Sequence, residues 1–160
     1  MKKSKTEQKC IKIIEQLKQN NQTISFAESC TGGRIAAAFT AISGASGVFD
    51  GSVVSYANEI KSKWLGVKEQ TLIKHGAVSQ ECVEEMLEGI LKMASSDYAI
   101  AVSGIAGPTG GTAEKPVGTV YIGIASKNEK KVTKYHFTGS RVDIQEQSTL
   151  TAIDFLQNFL

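Results

Sequence analysis

Residues 26–39 read FAESCTGGRIAAAF, which sets three potential nucleophiles, Ser29, Cys30 and Thr31, directly before two glycines and the opening of an apolar helix. A helix N-terminus presents N–H groups that lack intrahelical partners, and it attracts anions. Gly32 and Gly33 let the backbone come close to a ligand. A serine at such a turn can attack a carbonyl carbon while neighbouring N–H groups hold the oxygen that turns negative, as acyl transfer requires. Ser29 or Thr31 can equally be a helix cap. The stretch alone leaves both readings open.

A serine nucleophile needs a base, and SYANEIK at 55–61 offers Tyr56 at a strand end and Lys61 in the first turns of a helix. Lysine acts as a base only when burial or its neighbours lower its pKa from about 10.4. Tyr56 could bridge serine and lysine, and either residue could instead be an ordinary solvated side chain. A third segment, SGIAGPTGGTAEKPVG at 103–118, follows an apolar run. Its glycines can offer a nest of N–H groups to a phosphate, with Lys115 or a distant arginine adding charge, or can form a plain surface loop. Other chemistries are excluded by reading. The chain has no G-x-x-x-x-G-K-[ST], no G-x-S-x-G, no S-x-x-K from Ser29 and no H-E-x-x-H. His75 and His136 both read as surface or loop positions.

The elements that must position these groups follow from periodicity. Cys10, Ile13, Ile14 and Leu17 mark an amphipathic first helix, TISFAE a strand, and Ile35, Ala38, Phe39 and Ile42 the inner stripe of the next helix. FDGSVVSYA reads as a second strand and NEIKSKWLGV as a short helix that Asn58 could cap. Val83, Met86, Leu87, Ile90, Leu91 and Ala94 form the clearest apolar stripe, with Ser79 ahead of it. YAIAVSG reads as a strand buried on both faces, TVYIGIAS and KVTKYHFT as an antiparallel hairpin, and Ala152, Phe155, Leu156 and Phe159 as the stripe of a last helix. This order predicts a three-layer α/β/α sandwich on a mixed, mostly parallel sheet with a late antiparallel hairpin. The length predicts one domain over 1–160.

Composition bounds the partners. Net charge is +2 and the basic residues are scattered, so no nucleic-acid partner is expected. Three cysteines, Cys10, Cys30 and Cys82, without C-x-x-C spacing support neither a zinc site nor a disulfide framework, and a reducing cytoplasm fits best. No apolar run reaches the roughly 20 residues of a membrane helix, so no membrane partner is expected.

Taken together, AESCTGG, GSVVSYANEIK, GVKEQTL, HGAVS, VSGIAGPTGG and KPVGTVYIG stand in the order found in the CinA C-terminal-domain family, and the chain resembles that family from about residue 5 to its end. It looks like the stand-alone form, without the amino-terminal domain of longer relatives. The resemblance implies a nicotinamide-nucleotide amidase, converting nicotinamide mononucleotide to nicotinate mononucleotide and ammonia without metal or organic cofactor. It implies Ser29 as nucleophile and Tyr56 and Lys61 as its activators, with N–H groups around Thr31, Gly32 and Gly33 holding the oxyanion. It assigns Ser46, Ser103, Gly104 and Arg141 to the nucleotide, and suggests a homo-oligomer, a dimer or larger.

Two departures stand out. Ala57 replaces the serine of a common YSN, and Gln145 stands where relatives often carry a second arginine. If that arginine meets phosphate, its loss removes a contact of roughly 1.5 to 3 kcal/mol unless Lys115 or another base substitutes. Two rivals remain. Cys30, beside a helix N-terminus, could be the nucleophile itself or a small buried hydrophobe. The whole chain could be a non-enzymatic nucleotide-binding or regulatory module, linked to DNA uptake or repair.

Overall fold

The computed structural model describes residues 3–160. Helix α1 (Lys5–Gln19) starts at a capping box in which the Ser4 side chain accepts from Glu7 N and Glu7 reaches back to the Ser4 N–H. Its apolar stripe of Cys10, Ile13, Ile14 and Leu17 is buried. The chain continues through β1 (Ile24–Glu28), α2 (Arg34–Thr40), a 3-10 turn at Ala45–Gly47, β2 (Phe49–Val54), α3 (Asn58–Leu65), α4 (Glu69–His75) and α5 (Gln80–Ala94). It ends with β3 (Tyr98–Gly104), β4 (Thr119–Ser126), β5 (Lys130–His136) and α6 (Arg141–Phe159).

The five strands form one mixed sheet in the order β2-β1-β3-β4-β5. β1 pairs in parallel with both β2 and β3, while β3-β4 and β4-β5 are antiparallel. β4 alone therefore runs against the other four strands. Alternation sorts the two faces by size. Ile100, Val102, Val120, Ile122 and Ile124 pack toward α1, α2 and α6, whereas Ala27, Ala99, Ala101 and Ala125 face α5 with its Val83, Met86, Leu87 and Ile90. The small residues let α5 lie close against the sheet. The expected three-layer α/β/α sandwich is the architecture found.

Three local details differ from the sequence reading. The N-cap of α3 is Ala57, whose extended backbone accepts from Ile60 N and Lys61 N, and Asn58 is the first helical residue. Helix α4 was not anticipated, because it buries none of its residues and leaves Ile73 exposed, so it carries no inner stripe. Helix α2 stops at Thr40, two residues before Ile42. No helix among the described residues is long and apolar enough to cross a membrane. All three cysteines are free and buried.

Candidate active site

Because β1, β2 and β3 run parallel, their carboxyl ends lie together, and each empties into one piece of the site. β1 leads to Ser29, β2 to Ser55 and Tyr56, and β3 ends in Ser103 and Gly104. Ligands in open α/β sheets bind at this kind of edge. A cavity of about 170 Å³ opens there, walled by Ser29, Cys30, Lys61, Ser103 and Gly104, with Tyr56, Asn58 and Arg141 around it.

The serine turn is held on every side. Ser29 donates its N–H to the Val102 carbonyl, and its own carbonyl accepts from Gly32 N at 3.0 Å. Gly33 closes the turn at φ 92°, a left-handed conformation that glycine adopts without strain. The fully buried Glu28 carboxylate accepts from Thr31 Oγ1 and Ile35 N, both at 2.9 Å, and from Ala36 N and Ser52 Oγ, both at 3.1 Å. An acidic side chain therefore already occupies the positive end of α2. The Thr31 hydroxyl is engaged with Glu28 in place of a ligand. Among the described residues, the N–H groups of Cys30, Thr31 and Gly33 make no hydrogen bond to another residue.

Lys61 is 1% exposed, and its Nζ reaches back along α3 to the turn. It donates to Ser29 Oγ at 3.1 Å, to the Ser55 carbonyl at 2.7 Å and to the Tyr56 carbonyl at 3.0 Å. All three partners are neutral oxygens, and burial lowers the lysine pKa from its usual 10.5. In the neutral amine two N–H bonds satisfy the two carbonyls, which leaves the lone pair for the serine hydroxyl. A hydroxyl at that distance from a neutral amine can pass its proton to it.

Tyr56 enters the site differently from the sequence expectation of a bridge. Its main-chain carbonyl meets Lys61, while its hydroxyl accepts from Arg141 Nη2 at 2.7 Å. Arg141, at the start of α6, also donates through Nη1 to the Gly107 carbonyl at 2.6 Å, so its guanidinium ties the glycine-rich loop to the tyrosine beside the cavity. Ser103 lines the cavity with its hydroxyl donating to the Ala77 carbonyl at 2.8 Å. Gly104 also lines it, yet a Cβ there would lie 2.6 Å from Val120 Cγ2. The close approach of β4 alone demands that glycine.

Ser46 is not brought to this cavity: it sits in the 3-10 turn before β2, at the opposite end of the parallel strands from Ser29. Lys115 Nζ donates to the His75 carbonyl at 2.6 Å and so fastens the glycine-rich loop to α4. Cys30 is 4% exposed, and burial pushes its thiol up to about 12. A thiol shifted in that direction is held in its neutral form, as expected of a small buried hydrophobe.

Sequence reasoning gave no role to Glu28, to the Ser55 carbonyl or to Gln145 as a hydrogen-bond donor. Glu28 carried a usable signal, an acid ending an apolar strand just before a helix start. The carbonyl carried none, since main-chain groups have no letter of their own. Gln145, read as a lost phosphate contact, is 7% exposed and donates Nε2 to the Cys30 carbonyl at 3.0 Å.

The relatives of this chain agree with that architecture. The sequence is 57% identical over 144 residues to a "CinA-like protein" of Endomicrobium trichonymphae, covering 90% of this chain and 34% of the relative. It is 46% identical to a "Putative competence-damage inducible protein" of a Thermoanaerobacter species, covering 92% and 36%. The chain thus spans about a third of the length of the curated relatives it matches. The crystal structure of competence/damage inducible protein CihA from Agrobacterium tumefaciens superposes with a TM-score of 0.94 at 37% identity, covering 99% of this chain and 98% of that one. A CinA superfamily protein from Klebsiella pneumoniae superposes at 0.92 with 35% identity and 97% coverage of each. The CinA C-terminal domain model matches residues 6–160, and the chain belongs to the CinA C-terminal domain family.

Proposed function

We propose that this protein hydrolyses a carboxamide, with nicotinamide mononucleotide as substrate and nicotinate mononucleotide and ammonia as products. The observation that carries the reading is the buried Lys61 amine, 3.1 Å from Ser29 Oγ and without an anionic partner. A lysine held this way is poised to be neutral, and a neutral amine takes a proton from serine.

The steps follow from that contact. Lys61 removes the Ser29 proton as Oγ attacks the carboxamide carbon, and the carbonyl oxygen becomes the oxyanion. The N–H groups of Cys30 and Thr31, which no other residue engages among the described residues, adjoin the nucleophile and supply the donors. The Lys61 ammonium then protonates the leaving nitrogen, ammonia departs and an acyl-serine remains. Water attacks that ester, Lys61 takes its proton, and the same proton returns to Ser29 Oγ as the acid leaves. A volume of about 170 Å³ is small beside the roughly 300–1,000 Å³ of ligand pockets, so it takes the carboxamide and its ring. The ribose and phosphate extend outward past Tyr56 and Arg141. Arg141 offers the phosphate a guanidinium, once it exchanges its neutral oxygen partners for the charged one.

Ammonia release from nicotinamide mononucleotide, measured with wild type, Ser29→Ala and Lys61→Met side by side, tests the reading. Release lost in both variants supports it. A folded wild type that releases none overturns the substrate, and release that persists in Ser29→Ala overturns the mechanism.

A further inference from the structure

The nucleophile turn depends on a residue 115 positions away in sequence. Gln145 Nε2, carried on α6, donates to the Cys30 carbonyl at 3.0 Å in a buried setting. Its helix is anchored in the core by Ile144, Ala152, Ile153 and Leu156, so the amide is offered from a fixed base. The preceding carbonyl, that of Ser29, is held by Gly32 N. Cys30 therefore lies between two restrained peptide planes. A peptide is planar and trans, so fixing a carbonyl fixes the N–H on its opposite side. The two bonds together set the Cys30 and Thr31 N–H groups, two of the three in this turn that no other residue engages among the described residues.

We propose that Gln145 is a positioning residue for the oxyanion donors: its amide prevents the Cys30–Thr31 peptide from rotating and so keeps those N–H groups aimed for the tetrahedral intermediate. Donors that stabilise a transition state do so because they need no reorganisation when charge develops. Loss of the amide bond frees the peptide to turn and leaves a buried carbonyl without its donor. The inference rests on Ser29 as nucleophile and on no particular substrate. It also gives the glutamine a role unrelated to phosphate.

The test compares wild type with Gln145→Leu, which keeps bulk but cannot donate, and Gln145→Arg, which restores N–H donors. Two readouts are taken: kcat and KM with nicotinamide mononucleotide, and the rate of Ser29 acylation by p-nitrophenyl acetate, which carries no nucleotide. Gln145→Leu is expected to lower kcat and the acylation rate together by about 10- to 100-fold, the scale on which small misplacements act, with KM changed less than about 3-fold. Gln145→Arg is expected to recover much of the acylation rate. Unchanged acylation in a folded Gln145→Leu, or a loss confined to KM, overturns the proposal. If Gln145→Leu does not fold, Gln145→Glu, which replaces the donor by an acceptor, is measured by the same criteria. Failure of the wild type with nicotinamide mononucleotide but not with the ester removes only the substrate reading. Failure with both, or acylation that survives Ser29→Ala, removes the nucleophile and this inference with it.

Discussion

Two concave regions sit at opposite ends of the sheet, and their lysines live in opposite conditions. The larger, about 630 Å³, lies where the α5 C-terminus meets the β4-β5 hairpin. There Lys130 pairs with Glu88 and Glu84, and Lys127 with Asp97, all partly exposed. The smaller, about 170 Å³, holds Lys61, buried, among two carbonyls and a serine. Size points to the first and chemistry to the second. A solvent-exposed ion pair contributes little to stability, whereas a buried amine without a counter-charge is destabilised as a cation. A candidate active site is thus better recognised by an uncompensated buried group than by volume.

The contrast is sharpest for direct removal of the pair. Ser29→Ala and Lys61→Met should each reduce amide hydrolysis by roughly 10³-fold or more, in line with the loss of a nucleophile or its base. Steady-state assays on folded variants check this, and a residual rate within 10-fold of wild type would break the comparison.

Titration of Lys61 gives the next largest effect. Burial lowers the Lys61 pKa below 10.5, so activity should rise with pH as the amine loses its proton, through a midpoint below that value. The stability consequence has the same sign. Between the lowered folded value and 10.5 the unfolded chain holds a proton that the folded chain does not, so stability rises with pH across that window and is flat with respect to this group below it. Denaturation series over pH should show the slope in wild type and its absence in Lys61→Met.

Glu28 lies beside the same pair but is structural in its contacts. Glu28→Gln sets an N–H₂ against donors that now meet a carboxylate oxygen, and should destabilise by about 2–3 kcal/mol in chemical denaturation. Smaller effects are expected at Cys30 and Ser55. Cys30→Ala should keep activity within a few-fold, and iodoacetamide at neutral pH should leave the wild-type Cys30 unmodified by mass spectrometry, since its thiol is buried and raised to about 12. The Ser55 hydroxyl is buried without a partner among the described residues, while its carbonyl holds Lys61. Ser55→Ala should therefore preserve kcat and leave stability equal or improved. In the other region, Lys130→Ala should change stability by no more than about 1 kcal/mol and leave activity untouched.

The order of α1 and α5 was legible because each carries an apolar stripe that the structure buries, such as Val83, Met86, Leu87 and Ile90 on α5, whereas on α6 Ala152 and Leu156 of the expected stripe are buried and Phe155 and Phe159 only partly. Helix α4 was not, because a short helix with no fully buried residue, only Leu72 packing partly against the core, has no period to read. The serine and lysine were legible as residue types at a turn and on a helix. Their 3.1 Å contact was not, since it depends on β1 and β2 being parallel neighbours that deliver Ser29 and α3 to the same edge.

By itself the sequence determined the layer architecture, through hydrophobic period, and it determined which side chains capable of chemistry were available. Only the tertiary structure decided how those side chains are used. It turned the Tyr56 hydroxyl toward Arg141 and its carbonyl toward Lys61, buried Cys30 in the cavity wall, placed Ser46 at the far end and set Gln145 against the Cys30 carbonyl. The physical reason is that periodicity is a local property of a chain, whereas desolvation and hydrogen-bond geometry arise from groups distant in sequence. Both the lowered pKa of Lys61 and the setting of the N–H groups after Ser29 belong to that second class.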